Sequence, residues 1–200
     1  MIWIFHGYTQ SGENIKKTFH KVLGSSVDLF CPDGPVTAEQ GYGWWKLARE
    51  NLREVPSPEE IQRVCELGQN YRETLGNPNI VIGFSQGASC LTLLISRGII
   101  SPEKVILFSN FALPHYLNSS HKIKIPSLHL FGLNDKLLFD CVGFPDLSNP
   151  SSTKAWVLQT ADEWSLLPYY ENPRIEFHRW GHVVPSTKIY REMISEFTKN

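Results

Sequence analysis

The stretch that most constrains the fold of this chain is Asn79-Ile80-Val81-Ile82-Gly83-Phe84-Ser85-Gln86-Gly87-Ala88. A short β-branched run breaks into Gly-x-Ser-x-Gly and passes directly into a helix-like segment, Ala88 to Arg97. A strand that turns into a helix within one residue holds that residue in a strained backbone conformation. Gly83 and Gly87 flank the serine because side chains there would collide with the neighbouring strand and helix. Such a turn lifts the Ser85 hydroxyl above the strand ends and sets the first amides of the helix beside it.

The remaining pattern fits a sheet that can carry this turn. Short apolar runs at Ile2–Phe5, Val27–Phe30, Val105–Phe108, Ser127–Phe131 and Ile175–His178 read as further strands, about six in all. Helical patterns alternate with them. One opens at Ser11, with Ile15, Phe19, Val22 and Leu23 near one face. Another has Ser57 as N-cap, Pro58 in the first turn and Glu60 three residues after the cap. It runs through Tyr71 and stops at Gly76-Asn77-Pro78. A last one is predicted from Pro185-Ser186 through Phe197. Alternating strands and helices imply an α/β fold, a mostly parallel sheet with helices on both faces. Residues 1–200 read as one domain. Pro145, Asn149-Pro150 and Ser151-Ser152 interrupt any pattern over 139–160, an excursion that is either a lid or a solvated loop.

Composition excludes several function classes. The net charge of −1 argues against a nucleic-acid groove or a polybasic membrane surface. No apolar run approaches the roughly 20 residues of a membrane span. Met1 runs straight into the first strand, so no leader is expected. Cys31, Cys65, Cys90 and Cys141 are widely spaced, as thiols of a reducing compartment are, and a cytoplasmic location is expected. There is no GxxxxGK[ST], GxGxxG or HExxH pattern and no ligand-like His/Cys spacing. Neither metal nor cofactor is expected.

A serine hydroxyl needs a base to take its proton, and the base needs a third group to orient it. On such a sheet the chain order is serine, acid, histidine, each on a loop after a strand. The Ser127–Phe131 strand ends in Gly132-Leu133-Asn134-Asp135, which puts Asp135 at a strand's carboxyl end. Asp140, Asp146 and Asp162 compete with it by position. The last strand ends in Arg179-Trp180-Gly181-His182, and His182 is the only histidine after it. His129 and His178 lie within strands and suit sheet-face roles, while His20, His115 and His121 sit in polar stretches. An oxyanion needs backbone donors. Gln86 N–H, next after the serine, is one, and Tyr8 N–H in the Gly7 loop after the first strand is the other. His6 is read as a hydrogen-bonded structural residue. Trp44 and Trp45 either line an acyl pocket or pack in the core.

With these residues assembled, the chain resembles the α/β-hydrolase superfamily, and within it the FSH family of small eukaryotic serine hydrolases. The matching pieces are Phe5-His6-Gly7-Tyr8-Thr9-Gln10-Ser11-Gly12, Cys31-Pro32-Asp33-Gly34-Pro35, Gly83-Phe84-Ser85-Gln86-Gly87-Ala88, Phe131-Gly132-Leu133-Asn134-Asp135 and Gly181-His182-Val183-Val184-Pro185. The resemblance implies hydrolysis of small-molecule acyl or alkyl esters by a Ser85–Asp135–His182 triad. Arg179-Trp180 stands where the family has a small residue before Gly-His. Trp180 therefore either narrows the acyl pocket or packs on the sheet. The Gly-Phe-Ser-Gln-Gly core is shared with acyl-protein thioesterases, which makes thioester cleavage the alternative reaction. A hydrolase fold that binds a ligand without turnover is the non-enzymatic alternative.

Overall fold

A computed structural model describes residues 1–47, 55–113, 115–117, 120–137, 154–155, 157–158 and 165–199. Six parallel strands form the central sheet: β1 (Ile2–Phe5), β2 (Leu29–Phe30), β5 (Ile80–Phe84), β6 (Lys104–Phe108), β7 (Ser127–Gly132) and β8 (Arg174–His178). Their spatial order is β2-β1-β5-β6-β7-β8. The chain moves outward from β1 to β2, returns across β1 to β5, and then moves outward the other way. The reversal lies between β1 and β5, where Phe5 is in register with Gly83. The connections leaving the carboxyl ends of these two strands run to opposite sides, and such a reversal is where open α/β sheets generally bind ligands.

Among the described residues four long helices cover the sheet: α1 (Gly12–Leu23), α2 (Pro58–Leu75), α3 (Gln86–Ser96) and α4 (Lys188–Lys199). The period-2 alternation of the strands sorts them. Trp3, Phe5, Val81, Val105 and Leu107 point to one face and pack with Ile61 and Val64 of α2 and Leu91 and Leu94 of α3. Ile4, Ile82, Ile106, Phe108, Leu128 and Leu130 point to the other and pack with Ile15 and Phe19 of α1 and Ile194 of α4. Ten of the eleven residues of α3 are buried, which explains why its sequence lacks a polar stripe. The α2 cap forms as the sequence predicts, with Glu60 N–H donating to Ser57 Oγ (3.2 Å) and Ser57 N–H to Glu60 Oε2 (3.0 Å).

One expectation shifts, and one element is new. The last helix starts at Lys188 rather than at Pro185-Ser186, and Arg191 N–H closes its first turn on the Thr187 carbonyl. The aromatic stretch after β2 contains an antiparallel hairpin, β3 (Val36–Ala38) and β4 (Gly41–Gly43), that periodicity did not reveal. Three-residue strands are too short to show alternation. Close backbone approach defines this hairpin instead: a Cβ on Gly41 would lie 2.4 Å from the Gln10 carbonyl oxygen, and Tyr42 N–H donates to that same oxygen (2.7 Å). The excursion read at 139–160 falls largely outside the described residues. Asp140, Asp146, Asp162 and Cys141 lie wholly outside them.

Candidate active site

β5 ends at Phe84 and α3 begins at Gln86, leaving Ser85 alone to make the turn, at φ 53° and ψ −120°. That is a conformation side-chain-bearing residues rarely adopt. The neighbouring glycines are required by space. A Cβ on Gly83 would come 2.4 Å from Ala88 Cα, and one on Gly87 would come 2.2 Å from the Phe5 carbonyl oxygen. Both obstacles are backbone and cannot swing away. Ser85 caps α3 without a side-chain hydrogen bond, so its hydroxyl is not spent on the helix. Its amide donates to the Phe108 carbonyl (2.9 Å), which ties the turn to β6.

The loops after β7 and β8 bring the other two residues together. Leu133 N–H donates to the His178 carbonyl (2.8 Å), Asn134 N–H to the Trp180 carbonyl (3.3 Å) and Asn134 Nδ2 to the Arg179 carbonyl (2.6 Å). Gly132 permits this approach, since a Cβ there would meet the Gly181 oxygen at 2.4 Å. Asp135, fully buried, then accepts from His182 Nδ1 with both carboxylate oxygens, at 2.9 and 2.8 Å. A carboxylate cannot donate, so Nδ1 carries a proton, and in the neutral tautomer this fixes, Nε2 is the acceptor. Nε2 has no partner among the described residues. The imidazole packs against the Phe84 ring with centroids 4.8 Å apart, beside the residue that leads into Ser85.

On the other side of Ser85, the loop after β1 is fixed by His6. Gly34 N–H donates to His6 Nε2 (3.0 Å), and His6 Nδ1 donates to the Gly7 carbonyl (2.8 Å). Burial is the main cause that lowers the His6 pKa, against smaller raising effects of the Gly7 carbonyl and Asp33. A neutral ring suits both bonds. Gly7 N–H donates to Gln10 Oε1 (2.9 Å), while the Tyr8 and Gln86 amides donate to no acceptor among the described residues. The Gln10 brace had no sequence signal beyond its place in the loop.

Trp44 and Trp45 take the packing alternative. Their rings are 1% and 0% exposed, and Trp44 stacks on Phe5 with centroids 4.1 Å apart and planes 7° from parallel. Trp44 Nε1 donates to the His6 carbonyl, and the Trp44 N–H and Trp45 carbonyl bond the Gln86 side chain. Trp180 is half-buried, with its ring against His178 and Tyr190 and the Arg179 guanidinium 5.3 Å over its face. His129 is fully buried, and burial lowers its pKa to about 3. Its ring bonds Asn110 Nδ2 (2.9 Å) and Ser127 Oγ (3.1 Å), a sheet-face role. His178 is also buried, and neither ring nitrogen has a partner among the described residues.

Among the described residues no group of three or more His, Cys, Asp or Glu side chains could hold a metal ion. No helix among them is long and apolar enough to cross a membrane. Burial raises the Cys31 pKa to about 12 and that of Cys90 well above the usual thiol range, which keeps both protonated.

Residues 1–142 match the family model described as serine hydrolase (FSH1). The chain belongs to the FSH1 serine hydrolase family. An esterase of Caenorhabditis elegans is 33% identical to this hydrolase, over 99% of this chain and 92% of the other. The zebrafish (Danio rerio) protein named Esterase OVCA2 is 22% identical over 99% of this chain and 96% of its own. Among solved structures, a Mesorhizobium loti carboxylesterase superposes with a TM-score of 0.68 at 13% identity, covering 98% of this chain and 86% of the other. The family model includes Ser85, Asp135 and the loop after β1, and it stops before His182.

Proposed function

We propose that this member of the serine hydrolase family cleaves small-molecule carboxylic esters by acyl transfer to Ser85. The observation that carries the reading is the Asp135–His182 pair, whose imidazole packs on Phe84, the residue before the strained serine. With Nδ1 donating to the carboxylate, Nε2 of the neutral ring is left to act as the acceptor. Ser85 Oγ attacks the ester carbonyl while His182 Nε2 takes its proton, and the tetrahedral oxyanion accepts from the Tyr8 and Gln86 amides. Collapse breaks the ester C–O bond, and His182 returns the proton to the departing alcohol. A water then attacks the acyl-enzyme with His182 as base, releasing the acid and restoring Ser85.

The family and its esterase-named relatives support oxygen esters over thioesters as the substrate class. The three described cysteines are free, which supports a cytoplasmic location. Intact-mass analysis after treatment with a fluorophosphonate tests the mechanism. One adduct, mapped to Ser85 and lost in Ser85→Ala, is expected. Folded protein that turns over esters yet takes no adduct at Ser85 would overturn the assignment. The ratio of turnover on matched oxygen esters and thioesters decides between the two substrate classes.

A further inference from the structure

The Gln86 side chain does something its backbone role does not explain. It is fully buried at the first position of α3, a place where a glutamine would ordinarily reach solvent. Its Oε1 accepts from Trp44 N–H (2.8 Å) and its Nε2 donates to the Trp45 carbonyl (2.9 Å). The two bonds satisfy the amide from both ends, as a strand neighbour would. From Trp44 the connection continues: the indole Nε1 donates to the His6 carbonyl (2.9 Å), and its ring stacks on Phe5 and lies 5.3 Å from the His6 ring. His6 in turn is anchored to Gly34 and precedes Gly7 and Tyr8.

We infer that the Gln86 carboxamide and the Trp44 indole form one clamp that sets the spacing between the two oxyanion donors. Gln86 carries one donor amide on its own backbone. Tyr8, two residues beyond the His6 carbonyl that Trp44 holds, carries the other. The donors follow different strands, β5 and β1, whose connections diverge at this end of the sheet. Sheet register fixes Phe5 opposite Gly83 but exerts no hold beyond the strand ends. The clamp bridges that gap through the buried side chains of Gln86 and Trp44. Oxyanion stabilisation depends on donor position to within a fraction of an ångström, and a misplacement of about 1 Å costs about 100-fold in rate. Gln86 and Trp44 are thus positioning residues for the reaction, acting through amides they hold rather than by touching substrate with their side chains. This rests on the acyl-transfer reading above.

The test uses Gln86→Met, which fills a similar volume but makes neither bond, and Trp44→Phe, which keeps a stacked ring but leaves the His6 carbonyl without its donor. Each is assayed on p-nitrophenyl butyrate per active site titrated, well below its melting temperature, alongside binding of an alkyl boronic acid that forms a tetrahedral adduct. Gln86→Met is expected to lower kcat about 10- to 100-fold with KM within about threefold, and to weaken the boronate by the same factor. Trp44→Phe is expected to act in the same direction. The double variant should cost little more than the worse single one, because the residues act as a unit. Partial unfolding would reduce the number of titrated sites without moving these ratios. A folded Gln86→Met protein with kcat near wild type, or with a raised KM alone, overturns the clamp; should it fail to fold, Trp44→Phe decides on the same criteria. Ser85→Ala run in parallel separates the two levels. Retained turnover there removes the acyl-transfer reading itself, whereas loss of turnover in Ser85→Ala with an unaffected Gln86→Met removes only the clamp.

Discussion

Replacing Asp135 by asparagine isolates the charge that holds His182. The side chains are nearly the same shape, and Asp135 is fully buried, so the loop geometry is expected to survive. Both carboxylate oxygens lie within 2.9 Å of His182 Nδ1, which places the charge centres about 4 Å apart once the ring is protonated. Two unit charges at about 4 Å interact by about 4 kcal/mol at an effective dielectric of about 20. That interaction is absent while the ring is neutral and present when it has taken the Ser85 proton, so it acts on the barrier. At 1.36 kcal/mol per tenfold, kcat should fall about 1,000-fold. If the amide turns its NH2 toward Nδ1, that nitrogen becomes the acceptor, the proton moves to Nε2, and the loss is larger still. The assay is kcat on a p-nitrophenyl ester, with circular dichroism to establish the fold and the rate of fluorophosphonate adduct formation as a second readout. Folded Asp135→Asn protein with kcat within about tenfold of wild type would refute the reasoning and move the acid role to Asp140, Asp146 or Asp162.

The strained turn and the buried histidines give two further tests. Ser85→Gly removes both the nucleophile and the cost of a positive φ; about 1–3 kcal/mol of relief, less about 0.5–1 kcal/mol for glycine's freer unfolded chain, centres on a net gain of about 1 kcal/mol and predicts an inactive protein that melts about 2–4 °C higher. A lower melting temperature would show that the turn stores no strain. His129 takes up a proton near pH 6.5 in the unfolded chain but only near 3 in the fold, so the unfolded state binds more protons between these values. Its contribution is complete above about pH 6.5 and is lost as pH falls toward about 3, at about 1.4 kcal/mol per pH unit. His6 and His178, lowered chiefly by burial, act in the same direction. Denaturant unfolding at pH 5 and 6 should show this slope, and a folded His129→Gln protein should lose about 1.4 kcal/mol per unit of it; an unchanged slope would contradict the assignment.

Local chemistry determined what the sequence could show by itself. The β-branched runs at Ile80–Phe84 and Val105–Phe108 are buried on both faces, and such strands have to be continuously apolar wherever the helices happen to sit. The capping box at Ser57 and Glu60 and the glycines around Ser85 are constraints among residues close in the chain, so residue type reveals them directly. The meeting of Asp135 and His182 was foreshadowed for the same reason, since each follows a strand that announces itself.

Tertiary structure decided the rest. Nothing in Gln40–Leu47 marks a hairpin, because that segment is shaped by the Gln10 and Thr9 carbonyls some thirty residues away rather than by its own periodicity. Nor could the sequence choose between pocket and core for Trp44 and Trp45; burial depends on what lies opposite, and Phe5 and His6 lie opposite Trp44. Gln86 is the sharpest case. Its position after the serine fixes where its amide lies by local geometry, whereas the partners of its side chain sit 41 and 42 residues away in the chain. A hydrogen bond across that distance exists only once the sheet order has brought β1 beside β5, and so only the folded chain could assign it.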